Sequence, residues 1–200
     1  MPRRRNGRGL GGYLGEVVLI VLGVLLGLAA NEWRVNLGRQ AETRLALRRI
    51  RNEVATNTEQ LRSAAPVHAA MGDSLGGLAG AIMAGRGQPD GLFRLRRAFP
   101  NGFSTPLLER TAWDVALRTG TAAHMDHDTL LLLSRYYALL DFCQQKLNRV
   151  PENLYLAVNT DPAHWRGLIL ALAMVTGDIA IQEQRLVTFG DTLLARLPAP

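Results

Sequence analysis

One cysteine, one lysine and four histidines in 200 residues leave little material for several kinds of chemistry. Cys143 alone builds neither a disulfide framework nor a thiol-rich metal motif. Lys146 stands against 22 arginines, a bias of composition rather than a phosphate-binding design. No Gly-rich phosphate loop, Ser-His-Asp spacing or nucleophile elbow occurs. Proline is absent between Pro2 and Pro66, so a helix begun near the N-terminus meets no breaker for that distance. No segment alternates with period two for long enough to require a sheet, and there is no internal repeat.

What is present is an apolar run, GYLGEVVLIVLGVLLGLAANEW, from Gly12 to Trp33. Its strict core, Val17 to Ala30, is shorter than the roughly 20 residues that a spanning helix needs, but counting from Leu10 restores the length. Glu16 is the one acid between Leu10 and Ala30, and Tyr13 and Trp33 sit like aromatic belt residues. A secretory signal is the rival reading, with Arg3, Arg4, Arg5 and Arg8 as its basic region and Gly27 with Ala29 as a cleavage pair. Glu16 and the long proline-free continuation argue for an anchor. The expected organisation is a basic cytoplasmic tail at 1–9, a transmembrane helix at 10–32 and an all-α soluble domain at 33–200.

Charge follows the same division. Residues 1–51 hold ten arginines against Glu16, Glu32 and Glu42, whereas the remainder is close to neutral within an overall +6. A basic excess flanking an apolar helix points to anionic lipid head groups rather than to nucleic acid.

Beyond the anchor the pattern is helical. Leu47, Ile50, Val54 and Leu61, with Asn57 between, form one stripe on a stalk expected to run to Ala64, where Pro66 should end it. Val67, Met71, Leu75, Leu78 and Ile82 then mark a second helix, closed by the turn-rich Gly85–Gly91 and an irregular stretch from Leu92 to Ser104. Thr105-Pro106 and a Thr111/Asp114 capping box open a third helix, which Gly120 stops. Asp126 or Asp128 caps a fourth, striped by Leu130, Leu133, Tyr137, Leu140 and Leu147, with turn signals at Pro151 and Asp161-Pro162. Leu168, Leu172, Val175, Ile179, Gln182, Leu186, Phe189 and Leu193 alternate spacings of four and three over a last helix, Ala163 to Leu197, as in a bundle. The fold class expected is all-α, an N-terminal transmembrane helix continuing into a helical bundle.

The run GEVVLIVLGVLLGLAANEW and the Arg-rich helix after it resemble the start of a family of bacterial single-pass membrane proteins that has no established activity. Glu16, Gly23, Asn31 and Trp33 carry the resemblance, and Ala30 departs from it. TAWDVALRTGTAAHMDHDTLLLLSRYY is similar to the family's downstream pattern through Trp113, Gly120, Tyr136 and Tyr137. The resemblance spans the first 60 residues and, loosely, 105–140. It implies an inner-membrane protein whose helical domain is periplasmic, and no mechanism.

At 100 degrees per residue, Gly23 and Gly27 fall within about 20 degrees of Glu16 around the helix. Together with Asn31 they form a candidate helix-packing face through which two copies would associate. Glu16 would otherwise serve an ion-conducting assembly, as intramembrane acids do. HMDHD, with His124 and His127 three apart, is the one cluster with metal-ligand chemistry, but Asp at a turn entering a helix is first of all a cap. His68 and His164 are isolated and are expected at the surface or partly buried. Trp113, Tyr136, Tyr137 and Trp165 are aromatic packing candidates, and Trp113, Tyr137, Leu172, Ile179 and Leu186 are the expected core anchors. The chain reads as a membrane-anchored scaffold or interaction protein, self-associating, with no enzymatic role, no metal or other cofactor and no small-molecule substrate. The alternatives are a subunit of an ion-conducting assembly and a ligand-sensing helical domain.

Overall fold

The structure, a computed structural model, describes residues 10–86, 102–158 and 165–198. Among them there is no strand. The helices are α1 (Leu10–Met83), α2 (Thr111–Arg118), α3 (His127–Val158) and α4 (Trp165–Arg196), with a 3-10 turn at Thr121–His124. The chain is all-α. The basic tail at 1–9, the turn residues 87–91, the irregular stretch 92–101, Asp161-Pro162 and His164 lie outside the described residues, as do the side chains of Tyr13 and Trp165. Two units are distinguished, Met1–Leu45 and Ala46–Pro200.

In the first unit every side chain from Gly15 to Glu42 is exposed. Large apolar residues from Val17 to Leu28 leave 50–73% of their surface uncovered. The apolar window has a mean hydropathy of 1.8 and none of it is buried. This helix is long and apolar enough to cross a membrane, by the length and composition that an anchor and a signal sequence share.

In the second unit α1 acquires an inward face. Ile50, Val54, Asn57, Leu61, Ala65, His68, Met71, Leu75 and Ala79 are buried at spacings of three and four. The helix break expected at Pro66 does not occur, and the two helices expected on either side of it are one. Pro66 stands on the exposed face, where the carbonyl that loses its N–H partner is on the outside of the helix. A proline inside a helix costs about 3 kcal/mol. Burial of Met71 and Leu75 beyond it returns about 1.5–3 kcal/mol each, enough to carry the stripe through. Pro151 likewise sits exposed inside α3 rather than ending it, one residue after buried Val150.

α1 and α4 run antiparallel. Thr58 meets Gly190, His68 meets Glu183, and Gly72 meets Gly177. The close approach leaves little room for a side chain at Gly190 or Gly72. A Cβ on Gly190 would lie 2.1 Å from the Thr58 hydroxyl, and one on Gly72 would lie 3.2 Å from the Gly177 backbone. At the C-terminal end of α4, Arg51 donates to the carbonyls of Leu194 and Leu197, supplying partners that the last turn lacks and a cation at its negative end. α3 packs antiparallel on α4, with the Tyr136 ring edge-on to Phe189 and Lys146 paired with Asp178.

The core joins these helices through Leu133, Tyr136, Tyr137, Leu140 and Leu147 of α3 and Leu172, Ile179, Leu186 and Leu193 of α4. Leu172, Ile179 and Leu186 are at most 2% exposed. Truncating a buried Leu or Ile to Ala costs about 2–5 kcal/mol. The triple change Leu172→Ala, Ile179→Ala and Leu186→Ala should therefore exceed or nearly exhaust a margin of about 5–15 kcal/mol. Circular dichroism melts of the full chain test this, and an unchanged melting temperature would refute the packing.

Candidate functional site

The second unit buries an unusual set of polar groups: Glu53, Asn57, Thr58 and His68 on α1, and Thr176 and Glu183 on α4. Buried polar groups need partners, and most of these find theirs in one place. Residues 102–110 form an irregular strap along α1, and α1 holds that strap with side chains.

Glu53 caps α2 from a distance. Its Oε2 accepts the Ala112 N–H at 2.7 Å and its Oε1 accepts the Trp113 N–H at 3.4 Å and the Tyr137 hydroxyl at 2.6 Å. A carboxylate at a helix N-terminus satisfies orphan donors and faces the positive end of the dipole. The helix start expected at Thr105-Pro106 and the Thr111/Asp114 capping box are both corrected here. α2 begins at Thr111, its N-cap Arg110 makes no side-chain cap bond, and Glu53 does the capping. Asp114 instead accepts from the Arg110 guanidinium at 2.9 Å, which also reaches Asp141. Those carboxylates, Asp141 first, raise the Arg110 pKa further.

Asn57 treats Glu109 as a strand neighbour would. Its Nδ2 donates to the Glu109 carbonyl at 2.6 Å and its Oδ1 accepts the Glu109 N–H at 2.7 Å. The third fastening is His68, which is fully buried beside fully buried Glu183. Nδ1 lies 2.8 and 2.9 Å from the two carboxylate oxygens, Nε2 lies 2.9 Å from the Ser104 carbonyl, and Phe103 stacks on the ring at 4.6 Å. A carbonyl only accepts, so Nε2 carries a proton. One further proton is therefore shared between Nδ1 and the carboxylate, and the pair is neutral as a whole. The expectation that His68 is a surface or partly exposed residue is overturned.

Around these fastenings the aromatic side chains are stacked. Trp113 lies parallel to Tyr137 at 5.2 Å, and Tyr136 meets Tyr137 edge-on at 5.3 Å. Burial pushes the Tyr136 phenol up to about 12 and raises that of Tyr137 further, with Glu53 adding to the latter shift. The Tyr136 hydroxyl is the one buried side-chain polar atom among the described residues with no hydrogen-bond partner. Burial, and then the charge of Glu183, pushes the Cys143 thiol up to about 12, so it packs as an inert thiol.

The expected site residues are distributed as follows. Trp113, Tyr137, Leu172, Ile179 and Leu186 are all buried in the core. Glu16, Gly23, Gly27 and Asn31 lie on the exposed part of α1 in the other unit, and a Cβ on either glycine would meet nothing within 4 Å. Asp126 caps α3 by accepting the Thr129 N–H at 2.9 Å, and the Thr129 side chain first and this backbone bond second lower its pKa. His124 ends the 3-10 turn and His127 begins α3, so the two are not on one helical face as their spacing suggested. No group of three or more His, Cys, Asp or Glu side chains is gathered for a metal among the described residues. Glu53, His68 and Glu183 were missed as a set. Their signal is register: His68 lies seven residues from both Leu61 and Leu75, and Glu183 seven from Thr176 and Gly190.

No protein-family model, curated protein or solved structure matches this chain.

The proton count separates two substitutions at the junction. Glu183→Gln should be tolerated at a cost of about 0.5–1.5 kcal/mol, because an amide N–H can donate to Nδ1 of a neutral His68 that keeps its Nε2 proton on Ser104. His68→Phe leaves a carboxylate buried without its partner and should cost about 3–5 kcal/mol. Urea unfolding of the full chain compares them, and equal losses would remove the pair as the fastening of the strap.

Proposed function

We propose that this chain is a membrane-anchored helical scaffold that self-associates through the α1 face bearing Glu16, Gly23, Gly27 and Asn31. The observation that carries this reading is the emptiness around that face. Gly23 and Gly27 have no neighbour in the chain that would need them small, yet they share the helix face of the one acid in the apolar segment. Small residues at this spacing let two membrane helices approach closely, and a polar side chain between them can hydrogen-bond across the contact. Exposed Arg34, Arg39, Arg44, Arg48 and Arg49 follow the apolar window on the same helix, suited to anionic lipid head groups.

A scaffold fits the second unit better than an enzyme does. The buried acid–base groups Glu53, His68 and Glu183 are each saturated by partners that hold backbone in place. A catalytic acid or base needs a free valence toward a substrate. The resemblance to bacterial single-pass proteins supports an inner-membrane location with the N-terminus cytoplasmic and the helical domain periplasmic.

Replacing Gly23 and Gly27 by Ile should weaken self-association while leaving the fold of Ala46–Pro200 unchanged. Chemical crosslinking of the full chain in membranes reads this out, and undiminished oligomers would exclude a glycine-mediated contact.

Topology is tested separately. After alkaline carbonate extraction the intact chain should stay with the membrane, and in sealed inverted vesicles the helical domain should be protected from protease. A domain digested in such vesicles reverses the orientation, and a mature start near residue 30 makes the segment a cleaved signal.

A further inference from the structure

The strap is fastened to α1 at two points. Ser104 is held at His68 and Glu109 at Asn57, so strap and helix run in opposite directions. Eleven helical residues rise about 16 Å. The five strap residues that cover the same interval reach about 17 Å when fully extended. Pro106 narrows the strap's freedom between these points.

Between the strap and α1 lies an open pocket of about 270 Å3, lined by Gln60, Ser63, Ala64 and Val67 of α1 and by Ser104 and Pro106 opposite them, with His68 at one end. We propose that this cavity is a binding site for a small neutral molecule with one apolar face and one amide or hydroxyl group.

Each part of that description has a source in the walls. Ala64, Val67 and Pro106 supply the apolar surface. The Gln60 amide and the Ser104 hydroxyl line the pocket, and together they offer both donors and acceptors. The lining contains no unpaired charge, since His68 is matched by Glu183, so an ionised ligand would find no counter-charge there. An apolar cavity of about 150 Å3 accommodates a benzene ring, so this volume suits about ten non-hydrogen atoms. Binding there would tie the strap to α1 at a third point between its fastenings and reduce the strap's motion. The site lies wholly within the Ala46–Pro200 unit, and its existence does not depend on membrane anchoring or on self-association.

The probes are benzamide, which has the stated size and groups, and benzoate, its charged counterpart, titrated into the isotope-labelled full chain in detergent micelles. Benzamide should shift the Thr105 and Leu107 backbone amides saturably, and benzoate should not. Gln60→Leu should weaken benzamide by about three- to tenfold, the loss of one hydrogen bond. Val67→Trp, at a half-exposed position, should fill the cavity and abolish the shift while the melting temperature stays near that of the parent. Absence of a saturable shift, equal binding of benzoate, or unchanged affinity in both variants would overturn the proposal.

Discussion

Where α1, α4 and the strap cross, an imidazole and a carboxylate are sealed from solvent with one shared proton between them. Three chain segments far apart in sequence depend on that junction. A buried ion pair is weak support for stability, because desolvation offsets much of its attraction. Its force here is geometric. Nδ1 can be satisfied only if α4 places Glu183 beside α1, and Nε2 only if the strap presents Ser104, so alternative registers of either element leave a buried polar group without a partner. The neighbouring glycines enforce the same register sterically. Gly72 against Gly177 and Thr58 against Gly190 bring the two helices close enough for His68 to reach Glu183, and a shift of one turn would set side chains where backbone now lies.

The strap explains why α1 carries so many polar residues on its inner side. An irregular segment packed on a helix has backbone N–H and C=O groups with no ladder or turn to receive them, and leaving them unpaired costs more than the bonds return when made. Asn57, with a donor and an acceptor at one amide, can satisfy both groups of a single residue, and Glu53 can take two successive N–H groups of α2. These residue types are dictated by what they hold. The aromatic stack of Trp113 and Tyr137 then closes over Glu53, so the carboxylate is kept dry by the helix that it caps.

Much of this arrangement was legible in the sequence as apolar period. In α4 the line Leu172, Ile179, Leu186 and Leu193 is fully buried, as its spacing indicated. The companion line Leu168, Val175, Gln182 and Phe189 is only half buried. The line that faces α1, Ile169, Thr176, Glu183, Gly190 and Leu197, keeps the same seven-residue interval but mixes apolar, polar and vanishing side chains, and a hydrophobicity pattern does not register it. The same holds on α1, where Thr58, Ala65, Gly72 and Ala79 form the side toward α4. Proline misled for a related reason. Pro66 weighs on a single backbone bond, while the stripe on the opposite face continues through it, so periodicity on both flanks is the better guide than the breaker between them. Caps were the least legible feature. Local motifs at Thr105 and Thr111 were outcompeted by Glu53, a residue more than fifty positions away, and only tertiary packing brings it there.

α1 itself meets two opposite demands. From Ala46 onward its apolar residues point to one side and are covered, as a helix in water requires. From Val17 to Leu28 they point to all sides and none is covered. Water penalises that surface at roughly 25 cal/mol for each Å2 exposed, and contiguous apolar patches beyond a few hundred Å2 are rare on proteins that remain in solution. Along this one helix the apolar pattern changes from all-round to one-sided: a segment long and apolar enough to cross a membrane is followed by one that packs on a core.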